Sequence, residues 1–255
     1  MSISEISVTS SKIPSLFKGF KIVQLSDLHN KKIGENQEVF IEKVKSLDPD
    51  IIVITGDLID SNKYDEEASL QLINKLAEHY PIYFVTGNHE AWSERYDSLK
   101  EKIKKHNVIA LRNEHIRIQK SEQAIYLLGI DDPAFTMGNN EEKDEMNTIK
   151  NELVKARGGV DSDSYKVLLS HRPGFLPNYA EEKSNLVLSG HVHGGKVRLP
   201  FIGGLFAPNQ GVLPEYTAGL YEEQSTSMIV SRGLGNSIIP QRLFKRPEIV
   251  VVQLN

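Results

Sequence analysis

The chain has 255 residues, 39% of them hydrophobic and 25% charged, with a formal net charge of −4. That balance suits a soluble globular protein with a sizeable core and gives no electrostatic reason to expect nucleic acid as a specific partner. The sequence contains no cysteine, which excludes disulfides, thiolate metal sites and a cysteine nucleophile.

The opening stretch, MSISEISVTSSKIPSLFKGFKI, does not show the basic head and apolar run of roughly 7–15 residues that mark a secretory signal. Apolar runs such as Ile51–Ile54 and Ile249–Val252 are far too short to cross a bilayer. The expected address is therefore cytoplasmic. Phe17, Lys18, Phe20 and Lys21, and later Arg242, Phe244, Lys245 and Arg246, mix aromatic and basic side chains, which is compatible with peripheral membrane contact. A packed edge with solvated lysines explains the same pattern and is preferred. No linker, low-complexity tract or long repeat interrupts the chain, so residues 1–255 are expected to form one domain.

In chain order the first elements alternate. Ile22–Leu25, Ile51–Thr55 and Ile82–Thr86 read as strands apolar on both faces, as buried parallel strands are. Helical faces come between and after them. The first is Phe40, Ile41, Val44 and Leu47, ended by Asp48-Pro49. The second is Leu70, Ile73, Leu76 and Ala77, and the third Tyr96, Leu99 and Ile103 with Ser93 as N-cap. This alternation implies right-handed crossovers and a parallel sheet. A polar helix is expected around Glu141–Ala156. From about residue 108 strands become denser, which predicts a second sheet packed on the first.

The strands share one habit. IVQLS runs into Asp27 and His29, IIVITG into Asp57, and IYFVTG into Asn88 and His89. VLLS runs into His171, and LVLSG into His191 and His193. One aspartate after a strand is ordinarily a turn or cap, and one histidine is ordinarily a surface or core residue. Five apolar strands ending the same way point to a common site beyond their carboxyl ends, where α/β sheets bind ligands. His79, His106 and His115 fall elsewhere and read as structural or surface residues.

Asp27, His29, Asp57, Asn88, His171, His191 and His193 are all oxygen or nitrogen donors, a set that suits Mn, Fe, Zn, Co or Ni better than Ca or Mg. Seven ligands are too many for one tetrahedral ion. They suit two ions sharing a carboxylate, an arrangement that can activate a hydroxide and clamp a phosphate in line. MIVS runs into Arg232, which would contact the substrate phosphate or serve in a structural salt bridge. Arg198 is a second candidate for the substrate cleft. Asp131 and Asp132, after YLLGI and before Pro133, read first as a turn.

SDLH (26–29), GDLID (56–60), GNHE (87–90), SHRP (170–173) and GHVHGG (190–195) together resemble the motif set of the calcineurin-like metallophosphoesterases. The later GGKVRLPFIGGLFAPNQG and SRGLGNSIIPQRLFKRPEI resemble a bacterial phosphodiesterase-like branch of that family, typified by YkuE and YaeI. The resemblance implies an αββα fold, two packed sheets flanked by helices with a dimetal site at the carboxyl ends of the strands. It implies Asp27, His29 and His193 on one metal, Asn88, His171 and His191 on the other, and Asp57 bridging. His89 would face the leaving group as acid or stabiliser, oriented by Asp60, with Glu90 a second candidate for that support. Ser61 stands where the protein phosphatase branch has an arginine, which argues against a Ser/Thr protein phosphatase. The implied reaction is hydrolysis of a phosphate ester, a diester first, by in-line attack of a metal-bridging hydroxide, with manganese the favoured metal. The substrate is a small-molecule or lipid-linked phosphate ester. A pyrophosphatase acting on a nucleotide-linked sugar or lipid precursor and a phosphomonoesterase are alternatives. A non-catalytic scaffold is disfavoured because every ligand position is occupied.

Overall fold

The computed structural model describes residues 1–34, 37–137, 145–195, 198–199, 203–204, 206–207, 211–212, 214–235 and 246–255. The elements begin with β1 (Ser2–Val8), β2 (Lys21–Leu25), α1 (Glu38–Lys45), β3 (Ile51–Thr55), α2 (Glu67–Ala77) and β4 (Ile82–Val85). Next come α3 (Asn88–Trp92), α4 (Tyr96–Lys105), β5 (Ile109–Ala110), β6 (Glu114–Lys120), β7 (Gln123–Gly129) and α5 (Ala134–Met137). They are followed by α6 (Glu145–Arg157), β8 (Lys166–Leu169), α7 (Leu176–Glu181) and β9 (Leu186–Ser189). Two short ribbons, β10 (Arg198–Leu199) with β11 (Gly203–Gly204) and β12 (Phe206–Ala207) with β13 (Gly211–Val212), precede β14 (Gly219–Glu223), β15 (Thr226–Val230) and β16 (Glu248–Leu254).

The long strands form two six-stranded mixed sheets, ordered β1-β16-β2-β3-β4-β5 and β14-β15-β9-β8-β7-β6. Strands β2 to β5 run parallel, as the strand and helix alternation predicts, and β16 enters antiparallel to β2. In the second sheet β7, β8, β9 and β15 are parallel, with β6 and β14 antiparallel at the edges. Parallel strands place their carboxyl ends together, so each sheet presents one edge of strand tips.

The period of two along each strand decides the layers. In β3, Ile51 and Val53 face one way and meet Ile125, Leu127, Val167, Leu169, Leu186 and Leu188 of the second sheet. Ile52 and Ile54 face the other way and meet Phe40 and Val44 of α1, Leu72, Ile73 and Leu76 of α2, and Leu99 and Ile103 of α4. On the far side of the second sheet, Leu128, Leu168, Val187 and Met228 pack under Ile149 and Leu153 of α6 and Tyr179 of α7. The result is four layers, helices, sheet, sheet, helices, with three apolar seams. Each buried Val, Leu or Ile contributes roughly 1.5–3 kcal/mol, so the inner seam is the main force holding the sheets together.

One sequence expectation changes. Ser93 does not cap α4: it follows the short helix α3, where its hydroxyl donates to Glu90 O, and Arg95 takes the N-cap position. The polar helix is described over Glu145–Arg157, and residues 138–144 lie outside the described residues. Phe17 and Phe20 are buried in the inner seam with Lys120 above them, so this patch offers no aromatics to a membrane. Of the second patch, Arg242, Phe244 and Lys245 lie outside the described residues. No helix among the described residues is long and apolar enough to cross a membrane.

Candidate metal centre

The tips of β2, β3 and β4 in one sheet and of β8 and β9 in the other meet at one edge of the sandwich. Gln24 ties the sheets beneath them, its side-chain amide donating to Thr55 Oγ1 in β3 and to the Ser189 carbonyl in β9. A polar residue at a fully buried strand position was the signal for this strap. Asp27, His29, Asp57, His191 and His193 all leave their strands with φ between 48° and 71°. Left-handed backbone is uncommon outside glycine and clusters at functional sites, where surrounding contacts over-determine it. The loops also approach too closely for side chains at several glycines, among them two that face the carboxylates. A Cβ on Gly87 would strike the Asp57 carboxylate, and one on Gly190 would strike Ser26 Oγ and Asp27.

Three groups of donors result among the described residues, each with ligand atoms within 4.8 Å of one another: Asp27, His29, Asp57 and His193; Asp57, His171 and His191; and His29, Asp60 and His89. In the first, His29 Nε2 lies 3.1 Å from His193 Nε2 and 3.6 Å from Asp57 Oδ2, and His193 Nε2 lies 3.3 Å from Asp27 Oδ1. In the second, His171 Nε2 lies 3.2 Å from both Asp57 Oδ2 and His191 Nδ1. Asp57 Oδ2 therefore stands between these two groups. Its partner Oδ1 is fixed by the backbone N–H of His89 at 2.9 Å. The carboxylate of Asp27 accepts from Ser26 Oγ at 2.6 Å and from the His191 N–H at 3.1 Å, which joins the β2 tip to the β9 tip.

The donor set fits a pair of metal ions. All seven residues are buried, and His29 Nδ1, Asn88 Oδ1 and His191 Nε2 have no hydrogen-bond partner among the described residues. Two nitrogens at about 2.0–2.1 Å from one tetrahedral ion sit about 3.3 Å apart, close to the separations found here. His171 Nδ1 donates to the Thr55 carbonyl at 2.7 Å, which leaves Nε2 aimed at Asp57, the arrangement by which a ligating imidazole is oriented.

Charge points the same way. Burial would raise Asp57, but His171 and His29 outweigh it and hold its carboxyl well below the usual range. Burial opposes charge on His171, yet the Asp57 carboxylate prevails and lifts it to about 10. Burial lowers His29 to about 4 and drives His191 well below its ordinary value, while it raises Asp27 to about 6. Two buried carboxylates beside His29 and His191, whose imidazoles resist protonation, draw a cation into the centre. Metal binding displaces whatever proton serves there.

His89 sits beside this centre, 5% exposed, its ring edge-on to His29 at 4.5 Å between centroids. Its Nδ1 receives the backbone N–H of Ser61 at 3.0 Å, with Ser61 Oγ at 3.1 Å. A backbone N–H can only donate, so Nδ1 is the acceptor and Nε2 carries the proton of the neutral ring. Asp60, the residue expected to orient His89, is 4.0 Å from Nδ1, beyond a hydrogen bond. Its Oδ1 instead accepts from the N–H groups of Asn62 and Lys63, and its Oδ2 is 3.7 Å from His29 Nδ1. Asp60 closes the loop that presents Ser61, and Ser61 makes the contact. Glu90 does not support His89 either. Fully buried, it accepts from the N–H groups of Gly87 (2.7 Å), Asp57 (2.9 Å), Leu58 (2.9 Å) and Ile59 (3.2 Å), clamping the β3 and β4 tips together. Burial first, and then the Asp57 charge, raise its carboxyl to about 7.

Asp131 and Asp132 have structural partners. Asp131 holds Arg112, whose guanidinium lies over the Tyr96 and Phe135 rings. Asp132 starts a turn by accepting from the Ala134 N–H and grips Arg172, next to His171, through two 2.8 Å bonds. Arg232 bonds Glu248 at 2.6 Å and lies within reach of Ser2 and Ser4, so its guanidinium braces β1 and β16, and its stem packs on Gly194. Arg198 falls in β10, and its side chain lies outside the described residues. Glu90 and Ser61 act through backbone groups, which local sequence does not reveal.

Two donor groups sharing one carboxylate at the rim of an αββα sandwich define a candidate dinuclear hydrolytic centre. The model of the calcineurin-like phosphoesterase family matches residues 20–195. The chain is 31% identical to a Bacillus subtilis (strain 168) protein described as the uncharacterized metallophosphoesterase YkuE, over 98% of this chain and 84% of that one. It is 30% identical to the Bos taurus transmembrane protein with metallophosphoesterase domain, over 97% of this chain but 55% of that one. Among solved structures, TT1561 of Thermus thermophilus shares the fold, with a TM-score of 0.54 at 15% identity, over 84% of this chain and 89% of that one. The chain belongs to the calcineurin-like phosphoesterase family and is a metal-dependent phosphoesterase.

Proposed function

We propose that this chain hydrolyses a phosphodiester with two divalent ions, manganese favoured. Asp27, His29 and His193 hold one ion, Asn88, His171 and His191 the other, and Asp57 bridges. The observation that carries this reading is Asp57 Oδ2, 3.6 Å from His29 Nε2 in one donor group and 3.2 Å from His171 Nε2 in the other. When bound, such a pair supplies a nucleophilic water and positive charge opposite the phosphoryl oxygens.

The chain's own residues do the rest. His89 lies outside the two donor groups that share Asp57 and forms a third with His29 and Asp60; the Ser61 N–H on its Nδ1 leaves Nε2–H as a hydrogen-bond donor that stabilises charge developing on the leaving-group oxygen. Asp60 shapes the Ser61 turn and adds negative charge near His29 and His89. Glu90 fixes the loop that carries Asp57. The likeness of the stretches after residue 193 to the phosphodiesterase-like branch supports a diester over a monoester or pyrophosphate. We further assign residues 1–255 to one domain, acting in the cytoplasm on a small-molecule or lipid-linked phosphate ester.

The test is hydrolysis of bis(4-nitrophenyl) phosphate and 4-nitrophenyl phosphate by Mn²⁺-loaded protein. The diester is expected to react faster, and His89→Ala to lower kcat by roughly 10²–10⁴ with metal content unchanged. A faster monoester would reassign the substrate class. Loss of metal in His89→Ala would make that residue a ligand.

A further inference from the structure

We propose that Trp92 is a leaving-group platform, stacking on a planar aromatic or heteroaromatic portion of the substrate. The inference rests on the reading above that His89 faces the leaving-group oxygen. Trp92 is the one tryptophan in the sequence and lies three residues after His89 in α3, on the same side of the helix. Its ring centroid is 5.4 Å from that of His89, and the His89 ring is 4.5 Å from that of His29. The His89 ring thus touches both the buried His29 (7% exposed) and the half-exposed Trp92 (49%). A planar group attached to the oxygen that faces His89 would rest against this indole.

The chain exposes other large apolar side chains, Val39 and Val154 among them, and isolated ones need no explanation. Trp92 differs in its ring contact with His89. A half-exposed indole offers a broad π face with little freedom to lose, and aromatic stacking of a base on such a ring is worth about tenfold to a hundredfold in affinity. Trp92 thus selects what leaves, while the metal ligands select the phosphate.

Two phosphonates that cannot be hydrolysed separate these contributions. Phenylphosphonate and methylphosphonate share the metal-seeking group and differ in the ring. Dissociation constants come from calorimetry on Mn²⁺-loaded wild type, Trp92→Ala and Trp92→Phe, together with fluorescence of the single tryptophan in wild type. Phenylphosphonate is expected to bind about tenfold tighter than methylphosphonate and alone to perturb the indole emission. Trp92→Ala should erase that advantage without changing methylphosphonate binding, and Trp92→Phe should restore most of it. Equal binding of both phosphonates to wild type, or equal weakening of both in Trp92→Ala, would overturn the platform while leaving the metal site intact. So would an indole blue shift on phosphatidylglycerol vesicles without phosphonate selectivity, which would make Trp92 a membrane contact. Absence of both phosphonate binding and diester hydrolysis in wild type would overturn the site reading and the platform together.

Discussion

The two sheets contribute unlike chemistry to one centre. The first supplies both carboxylates, Asp27 and Asp57, with His29, Asn88 and His89. The second supplies three imidazoles, His171, His191 and His193. Their anchoring differs as well. In the first sheet Glu90 gathers four backbone N–H groups from two loops. In the second, the His191 backbone leans on Asp27 and the His171 ring on Thr55, both in the first sheet. One half therefore carries the centre's carboxylates and the other a set of imidazoles registered against them. Neither half makes a metal site until the apolar seam closes.

The largest effect should come from the atom both halves share. Asp57→Asn removes the charge between the donor groups. It should weaken metal retention by well over the roughly 10–100-fold seen when only a supporting contact is lost, read as metal per chain after dialysis. Retention of both ions would break the comparison. Next is the clamp of the first half. Glu90→Ala leaves four buried N–H groups without their acceptor and should cost about 3 kcal/mol or more in denaturant unfolding, with weaker metal binding. A loss under ~1 kcal/mol would show that water replaces the carboxylate.

The strap between halves ranks third. Gln24→Leu deprives the Ser189 carbonyl and Thr55 Oγ1 of a donor, at about 1–3 kcal/mol. An unchanged unfolding midpoint would mean that the apolar seam alone sets the register.

The smallest effect lies away from the centre, in α6. Burial, aided by Asp131 and Asp132, raises Glu152 from 4.5 to about 8. Between those values the folded chain keeps a proton that the unfolded chain releases, so stability declines as pH rises through that window. Glu152→Gln should flatten the decline between about pH 5.5 and 8 in urea unfolding. Parallel pH profiles would show that Glu152 does not hold this proton.

Much of the candidate site is legible in sequence because the candidate ligands sit just after short apolar strands, and strand tips in parallel sheets have one address. The inner strands Ile51–Thr55 and Ile82–Val85 are equally plain, since burial on both faces leaves an unbroken apolar run. The flanks are not. Strand β1 is half-exposed and joins the sheet through β16, from the far end of the chain, a pairing that no local pattern encodes. Ser93 resembles an N-cap by type, yet α3 ends where the cap was expected. Glu90 and Ser61 work by accepting from or offering backbone groups brought close only by the fold. Arg232 ends a strand as the ligands do, but Glu248 stands opposite it.

The central claim, two ions joined by Asp57, is tested most directly by electron paramagnetic resonance of the Mn²⁺-saturated protein. A bridged centre predicts the multiline spectrum of an exchange-coupled pair, collapsing to isolated Mn²⁺ signals in Asp57→Ala. An active wild-type protein that shows only isolated Mn²⁺ at saturation would contradict it.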